Sequence, residues 1–267
     1  MLEKPMLKTH TPGVSLPIDW NTTWAAIWRA HREALRPVRR IAPVQLDDLI
    51  GVDDQKAALV RNTERFLNGQ PANNVLLWGS RGTGKSSLIK ALLNHLAPRG
   101  LRLIEVDKAD LVYLPEIVDL ISEQPFQYIL FCDDLSFEAD EPTYKALKTV
   151  LEGSIEMPPE NVLIYATSNR RHLMPEYMEE NQQARVVKTE LHHAEAVEEK
   201  IALSDRFGLW LSFYPINQEV YLAMVDACFR RWQGDREELH RQAIRFALQR
   251  GGRSGRAAFQ FYKHLAE

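Results

Sequence analysis

Cysteine is scarce: the 267-residue chain has two, Cys132 and Cys228, and neither stands at a metal-type spacing from a partner. That excludes a disulfide scaffold and a cysteine-based zinc module, and it fits a reducing compartment. Long apolar runs are missing too, since no stretch approaches the roughly 18 residues of a membrane span. No membrane partner is therefore expected. The opening MLEKPMLKTHTPG lacks the charged-then-apolar order of a secretory signal, which makes the cytoplasm the expected location. There is no excess of positive charge. A net charge of −3 argues against a constitutive, non-specific nucleic-acid binder, while leaving a local basic face open. Internal repeats and low-complexity tracts are absent. What is left is an ordinary globular composition, 45% apolar and 26% charged, in a chain long enough for one large domain or two small ones.

Residues 1 to about 20 carry Pro5, Pro12, Gly13 and Pro17 and read as an irregular arm. Over 22–36, Trp24, Ile27, Trp28, His31 and Leu35 recur at helical spacing, which predicts one amphipathic helix with its tryptophans packed on the core. Arg29, Arg32 and Arg36 line up beside that apolar face. They read as a solvated face, as a contact to a neighbouring subunit or partner protein, or as a contact to a nucleic-acid backbone. Pro37 and Pro43 mark a linker.

Beyond the linker the pattern alternates. Helices are predicted over 53–67, 85–96, 114–123 and 143–151, and short apolar strands over 74–78, 101–106, 128–132 and 162–167. Such alternation implies an α/β fold, a mainly parallel sheet with helices on both faces, whose ligands bind beyond the carboxyl ends of the strands. A polar, acidic segment over 174–202 interrupts the rhythm, as a partner-docking loop or a flexible insertion. A last strand is predicted over 209–214, then helices over 218–231, 236–250 and 254–265. The expected division is an arm with its helix over 1–44, an α/β nucleotide-binding domain over 45–214, and a small helical domain over 215–267.

Directly after the first of these core strands comes Gly79-Ser80-Arg81-Gly82-Thr83-Gly84-Lys85-Ser86, followed by Ser87. The spacing is G-x-x-x-x-G-K-[ST]. Glycines let the backbone curl so that successive N–H groups face one phosphate cluster, at a helix N-terminus whose dipole favours anions. Lys85 supplies charge for the β- and γ-phosphates, and the Ser86 hydroxyl can ligate Mg²⁺. Strand before and helix after are the context that this motif requires.

The stretch YILFCDDLSFE, from 128 to 138, is an apolar strand ending in two acids. On an ideal strand Asp133 and Asp134 point to opposite faces, so both serve one site only if the strand ends near Asp133 and the chain turns there. Asp134 then faces an attacking water, or it merely caps the following turn; Glu138 is a second candidate for the base. Upstream lies LDDLIG, ending in Ile50 and Gly51. Downstream lie ATSN, ending in Asn169, then LSDRFG with Arg206, and RSGRA with Arg253 and Arg256.

These pieces, in this order, resemble the AAA+ ATPases over about 45–267. The resemblance implies a Walker A loop, with Ile50 and Gly51 bordering the adenine. It also implies a Walker B strand in which Asp133 orients Mg²⁺ and Asp134 the water, although most of the family has Glu at the second position. Asn169 would be sensor 1, holding the water or the γ-phosphate. Arg206 would be the arginine finger acting on a neighbour's site, the bland alternative being a surface arginine paired with Asp205. Arg256 is preferred over Arg253 as sensor 2. More narrowly, the run from CDDLSFE through ATSNRRHL to LSDRFGLWLSFYP is similar to a family of stand-alone prokaryotic AAA+ proteins of unknown function.

The implied activity is that of a slow, partner-stimulated ATPase using ATP and Mg²⁺, assembled as a homo-oligomer when ATP is bound and remodelling or switching a protein partner. Two alternatives stand beside it: a nucleic-acid-linked ATPase of helicase-loader or transposition-adaptor type, and a binding-only switch. The His192-His193 pair near Glu195 is not expected to bind metal, because adjacent histidines on a helix diverge by about 100°.

Overall fold

The computed structural model describes residues 18–136, 147–148, 150–151, 159–170, 173 and 204–265. Seven strands and six helices organise them: β1 (Ala25–Arg29), β2 (Ala34–Pro37), α1 (Asp53–Leu67), β3 (Val75–Gly79), α2 (Lys85–Leu96), β4 (Leu101–Glu105), α3 (Leu114–Ile121), β5 (Gln127–Cys132), β6 (Val162–Ser168), β7 (Leu209–Phe213), α4 (Gln218–Cys228), α5 (Arg236–Gln249) and α6 (Gly255–Leu265). One sheet takes all seven strands, in the order β2-β1-β4-β5-β6-β3-β7. Every pairing is parallel except β1 with β2.

Alternation along the strands builds two apolar layers. Leu76, Ile104, Leu130 and Ile164 join Ile117 and Ile121 of α3 on one face. Leu77, Leu103, Ile129 and Tyr165 join Leu59 and Phe66 of α1 and Leu88, Leu92 and Leu96 of α2 on the other. With both faces covered, the strands read as near-continuous apolar runs. Because β3 is flanked by β6 and β7, the chain leaving β3 crosses two strands to reach β4, so the carboxyl ends of β3, β6 and β5 lie side by side. Such an edge is where doubly wound sheets bind ligands.

Helices α4 to α6 gather a separate core around Tyr221, Val225, Leu239 and Phe261. Ala243, Ala247, Ala257 and Ala258 let their backbones approach, and the Tyr221 hydroxyl donates to Ala243 O at 3.0 Å. Asn217 caps α4 by accepting from Val220 N, and Asp235 caps α5 by accepting from Glu237 N. Each such cap is worth about 1 kcal/mol.

The segment over 22–36 is not the helix that its spacing predicts. It is a hairpin: β1 and β2 pair antiparallel, with Trp28 opposite Leu35 and Ile27 opposite Arg36, and Glu33 at φ +47 in the turn. β1 then runs parallel beside β4, Ala26 next to Ile104. The physical reason is the four-residue apolar run Ala25–Trp28, which offers side chains to both faces of a sheet, as a buried strand requires. Ala25, Ala26 and Trp28 are buried, whereas Trp24 and His31, on the supposed apolar helix face, are exposed. Trp28 does pack on the core, and Trp24 is 36% exposed.

Of the helix predicted over 143–151, residues 147, 148, 150 and 151 are described and are helical. Glu138, the 174–202 segment and the His192-His193 pair lie outside the described residues. Among those described, no helix is long and apolar enough to cross a membrane.

Candidate nucleotide-binding site

The loop after β3 curls through three glycines in the left-handed region, at φ +128 for Gly79, +75 for Gly82 and +102 for Gly84. A Cβ at Gly79 would lie 2.0 Å from Phe213 O, so β7 admits no larger residue there. Ser80 N donates to that same carbonyl at 3.0 Å, and the Thr83 hydroxyl donates to Ser80 O at 2.8 Å. Gly84 caps α2, which presents Lys85, Ser86 and Ser87 in its first turn. Lys85 is 7% exposed, and its Nζ donates to Gly79 O at 2.7 Å, Ser80 O at 2.8 Å and Asn169 Oδ1 at 3.2 Å. Burial holds the ammonium below its ordinary pKa, with Asp133 and Asp134 pulling it back up and nearby Arg81 lowering it further.

β5 ends at Cys132, and the next two residues form a turn in which Asp134 takes φ +54. This is the turn that both aspartates need if they are to serve one site. Asp133 Oδ1 accepts from the Ser86 hydroxyl at 2.6 Å and from the Thr167 hydroxyl at 2.5 Å. Asp134 Oδ1 accepts from Asn169 Nδ2 at 2.5 Å. One continuous chain of contacts therefore runs from Lys85 through Asn169 to Asp134. Thr167, buried near the end of β6, joins the site without being one of the residues that the motifs mark. A signal for it exists: the β5–β6 register pairs Cys132 with Ala166, and one further step sets Thr167 against Asp133.

The helical bundle α4–α6 packs against the phosphate loop. Gly255 N donates to Gly82 O at 3.3 Å, and a Cβ on Gly82 would come within 2.8 Å of Ser254 Cβ. Between the loop and this bundle is a cavity of about 530 Å³, lined among others by Arg81, Thr83, Ile216, Gln218, Ile244 and Arg253. Arg253 is thus on the cavity wall, while Arg256 is exposed in the first turn of α6. Ile50 and Gly51 are not among the lining residues. Gly51, at φ +76, lies instead against α4, where a Cβ would meet Val220 at 2.6 Å. Lys56 steadies that segment by donating to Leu49 O at 2.8 Å. Arg206 is exposed three residues before β7, at the amino edge of the sheet, opposite the phosphate loop. Neighbouring Ser204 and Phe207 are buried.

Solved structures share this architecture. RuvB of Thermotoga maritima, a Holliday junction branch migration motor, has a TM-score of 0.54 at 15% identity, over 84% of this chain and 64% of that one. The AAA domain of FIGL-1, solved in complex with ADP, has a TM-score of 0.52 at 17% identity, over 74% of this chain and 65% of that one. At such identities the likeness is one of fold. The replication factor C large subunit of Methanococcus maripaludis strain C5 is 32% identical over 81 residues, 30% of this chain and 17% of that protein. The chain spans less than two thirds of the length of each of the three. The family described as protein of unknown function (DUF815) matches residues 21–267. The chain belongs to that family, and its fold is the P-loop nucleotide-binding fold of the AAA+ ATPases.

Proposed function

We propose that the chain binds ATP with Mg²⁺ between its phosphate loop and the bundle α4–α6, which acts as a lid, hydrolyses it slowly, and couples the cycle to remodelling or switching of a partner protein. The observation that carries this reading is the acidic turn. Ser86 and Asp133 meet at 2.6 Å beside the loop, and Asn169 holds Asp134 toward the same edge. A hydroxyl and a carboxylate are hard oxygen donors of the kind that Mg²⁺ takes alongside phosphate oxygens. Bound there, the ion would neutralise charge on the β- and γ-phosphates. Lys85 would trade its loop carbonyls for phosphate oxygens, and the loop N–H groups would cradle the remainder. Asp134, exposed and gripped through one oxygen, keeps the other to accept a proton from water.

On this reading Arg256, at the start of α6, or its rival Arg253, on the cavity wall, would reach the phosphates, and Ile50 and Gly51 would border the adenine. Arg206 is separated from its own phosphate loop by the length of β7, about 15 Å for five extended residues. It therefore has no route to its own site and would complete that of a neighbour in an ATP-bound homo-oligomer. The test is ATP binding and phosphate release by purified protein. Lys85→Ala is expected to lose binding, and Asp134→Ala to keep binding and lose release. Release unchanged in Asp134→Ala would remove Asp134 from the chemistry.

A second reading, a nucleic-acid-linked ATPase, is favoured by one feature. Arg29, Arg32, Arg36, Arg39 and Arg40 are exposed on and beside the hairpin, and none makes an ion pair among the described residues. Glu105, Asp107 and Asp110 share a cleft with Arg29, which keeps this reading second. Stimulation of turnover by DNA or RNA, falling steeply with salt and lost in Arg32→Gln/Arg36→Gln/Arg39→Gln/Arg40→Gln, would promote it.

A further inference from the structure

Asp133 and Asp134 can face one site only because β5 ends at Cys132 and both lie in the turn that follows, and one residue touches three successive positions of that turn, 133 to 135. Thr167 is 1% exposed, and both its side chain and its backbone are spent on the turn. Its hydroxyl donates to Asp133 Oδ1 and accepts from Asp134 N at 2.9 Å, while its carbonyl accepts from Leu135 N at 2.7 Å. The single hydroxyl proton is thereby committed to one aspartate, and a lone pair to the backbone of the other.

We propose that Thr167 is the positioning residue of this site: it orients the Asp133 carboxylate toward Mg²⁺ and fixes the left-handed backbone that brings Asp134 onto Asn169. The inference rests on the reading that the two aspartates serve a magnesium–nucleotide. It also accounts for aspartate at 134. A residue at φ +54 is costly for most side chains, and Asp and Asn are the common exceptions after glycine. The turn held by Thr167 thus selects the shorter acid.

A buried hydroxyl that merely satisfies a strand end would affect stability alone, so the test reads magnesium. Binding of fluorescently labelled ADP is measured across a Mg²⁺ titration and in EDTA, for the unmodified protein, Thr167→Val and Thr167→Ser. Partners of metal-binding carboxylates typically contribute about 10–100-fold to metal affinity. Thr167→Val is expected to raise the half-saturating Mg²⁺ by about that factor while leaving metal-free ADP affinity unchanged, and Thr167→Ser to restore it. A Mg²⁺ dependence unaltered in Thr167→Val overturns the proposal alone. Failure of the unmodified protein to bind ADP overturns the underlying reading with it. Should the valine variant not fold, amide exchange in the unmodified protein decides. The Asp134 amide proton is expected to exchange slowly despite its exposed turn, and fast exchange overturns the proposal.

Discussion

Replacing Asp134 with glutamate installs the acid that the AAA+ resemblance would lead one to expect, and it should impair the proposed turnover. The Asn169 amide already meets Asp134 Oδ1 at 2.5 Å, so an added methylene of about 1.5 Å has to push the carboxylate past its present position or buckle the chain. A displacement of about 1 Å at a reacting group costs roughly 10²-fold in rate. The backbone adds a second cost. At φ +54 an ordinary side chain loses roughly 1–2 kcal/mol from which Asp is partly exempt, so glutamate should lose about 1 kcal/mol of stability. In a chain of this size that is a fall of about 2–4 °C in Tm. The assay is single-turnover phosphate release, with labelled-ADP affinity as the control for an intact loop. Asp134→Glu is expected to bind ADP normally and release phosphate on the order of 10²-fold more slowly. A variant that turns over as fast as the unmodified protein would refute the geometry argued for the turn.

Three further outcomes are expected. Arg206→Ala should lower turnover by about 10³–10⁵-fold, and mixing it with Lys85→Ala subunits should recover part of the loss, because each supplies what the other lacks; no recovery on mixing would remove the action across subunits. Gly79→Ala, whose Cβ would lie 2.0 Å from Phe213 O, should abolish nucleotide binding and destabilise the fold by about 3 kcal/mol in urea titrations, and an unchanged midpoint would contradict the packing described. Burial pushes the thiol pKa of Cys132 well above the ordinary range and that of Cys228 up as well. Iodoacetamide should therefore modify half-buried Cys228 first and reach Cys132 only on unfolding, and equal labelling of the two in native protein would contradict it.

Much of this architecture is legible one segment at a time. Helices over 53–67 and 85–96 and the strand beginning at 101 fall where hydrophobic periodicity and the glycine-lysine boundary put them, since those signals are local. The hairpin shows where local reading fails. Trp24, Ile27, Trp28, His31 and Leu35 satisfy a helical period, but the choice was made by the free edge of β4, more than 70 residues away in the chain. The phosphate loop announces itself because its spacing is its mechanism. Thr167 does not, because its partners belong to another strand and become visible only when the register of β5 and β6 is known. The cavity wall is harder still: Ile216, Gln218, Ile244 and Arg253 converge through the packing of α4, α5 and α6, which no spacing in the sequence encodes.

The most direct test is a single-turnover experiment with γ-labelled ATP and Mg²⁺, comparing the unmodified protein with Asp134→Ala. The unmodified protein should retain ATP and release labelled phosphate, whereas Asp134→Ala should retain ATP as well and release none above the solution rate. Equal release from both, or no ATP retained by the unmodified protein, would contradict a nucleotide site that works through the acidic turn.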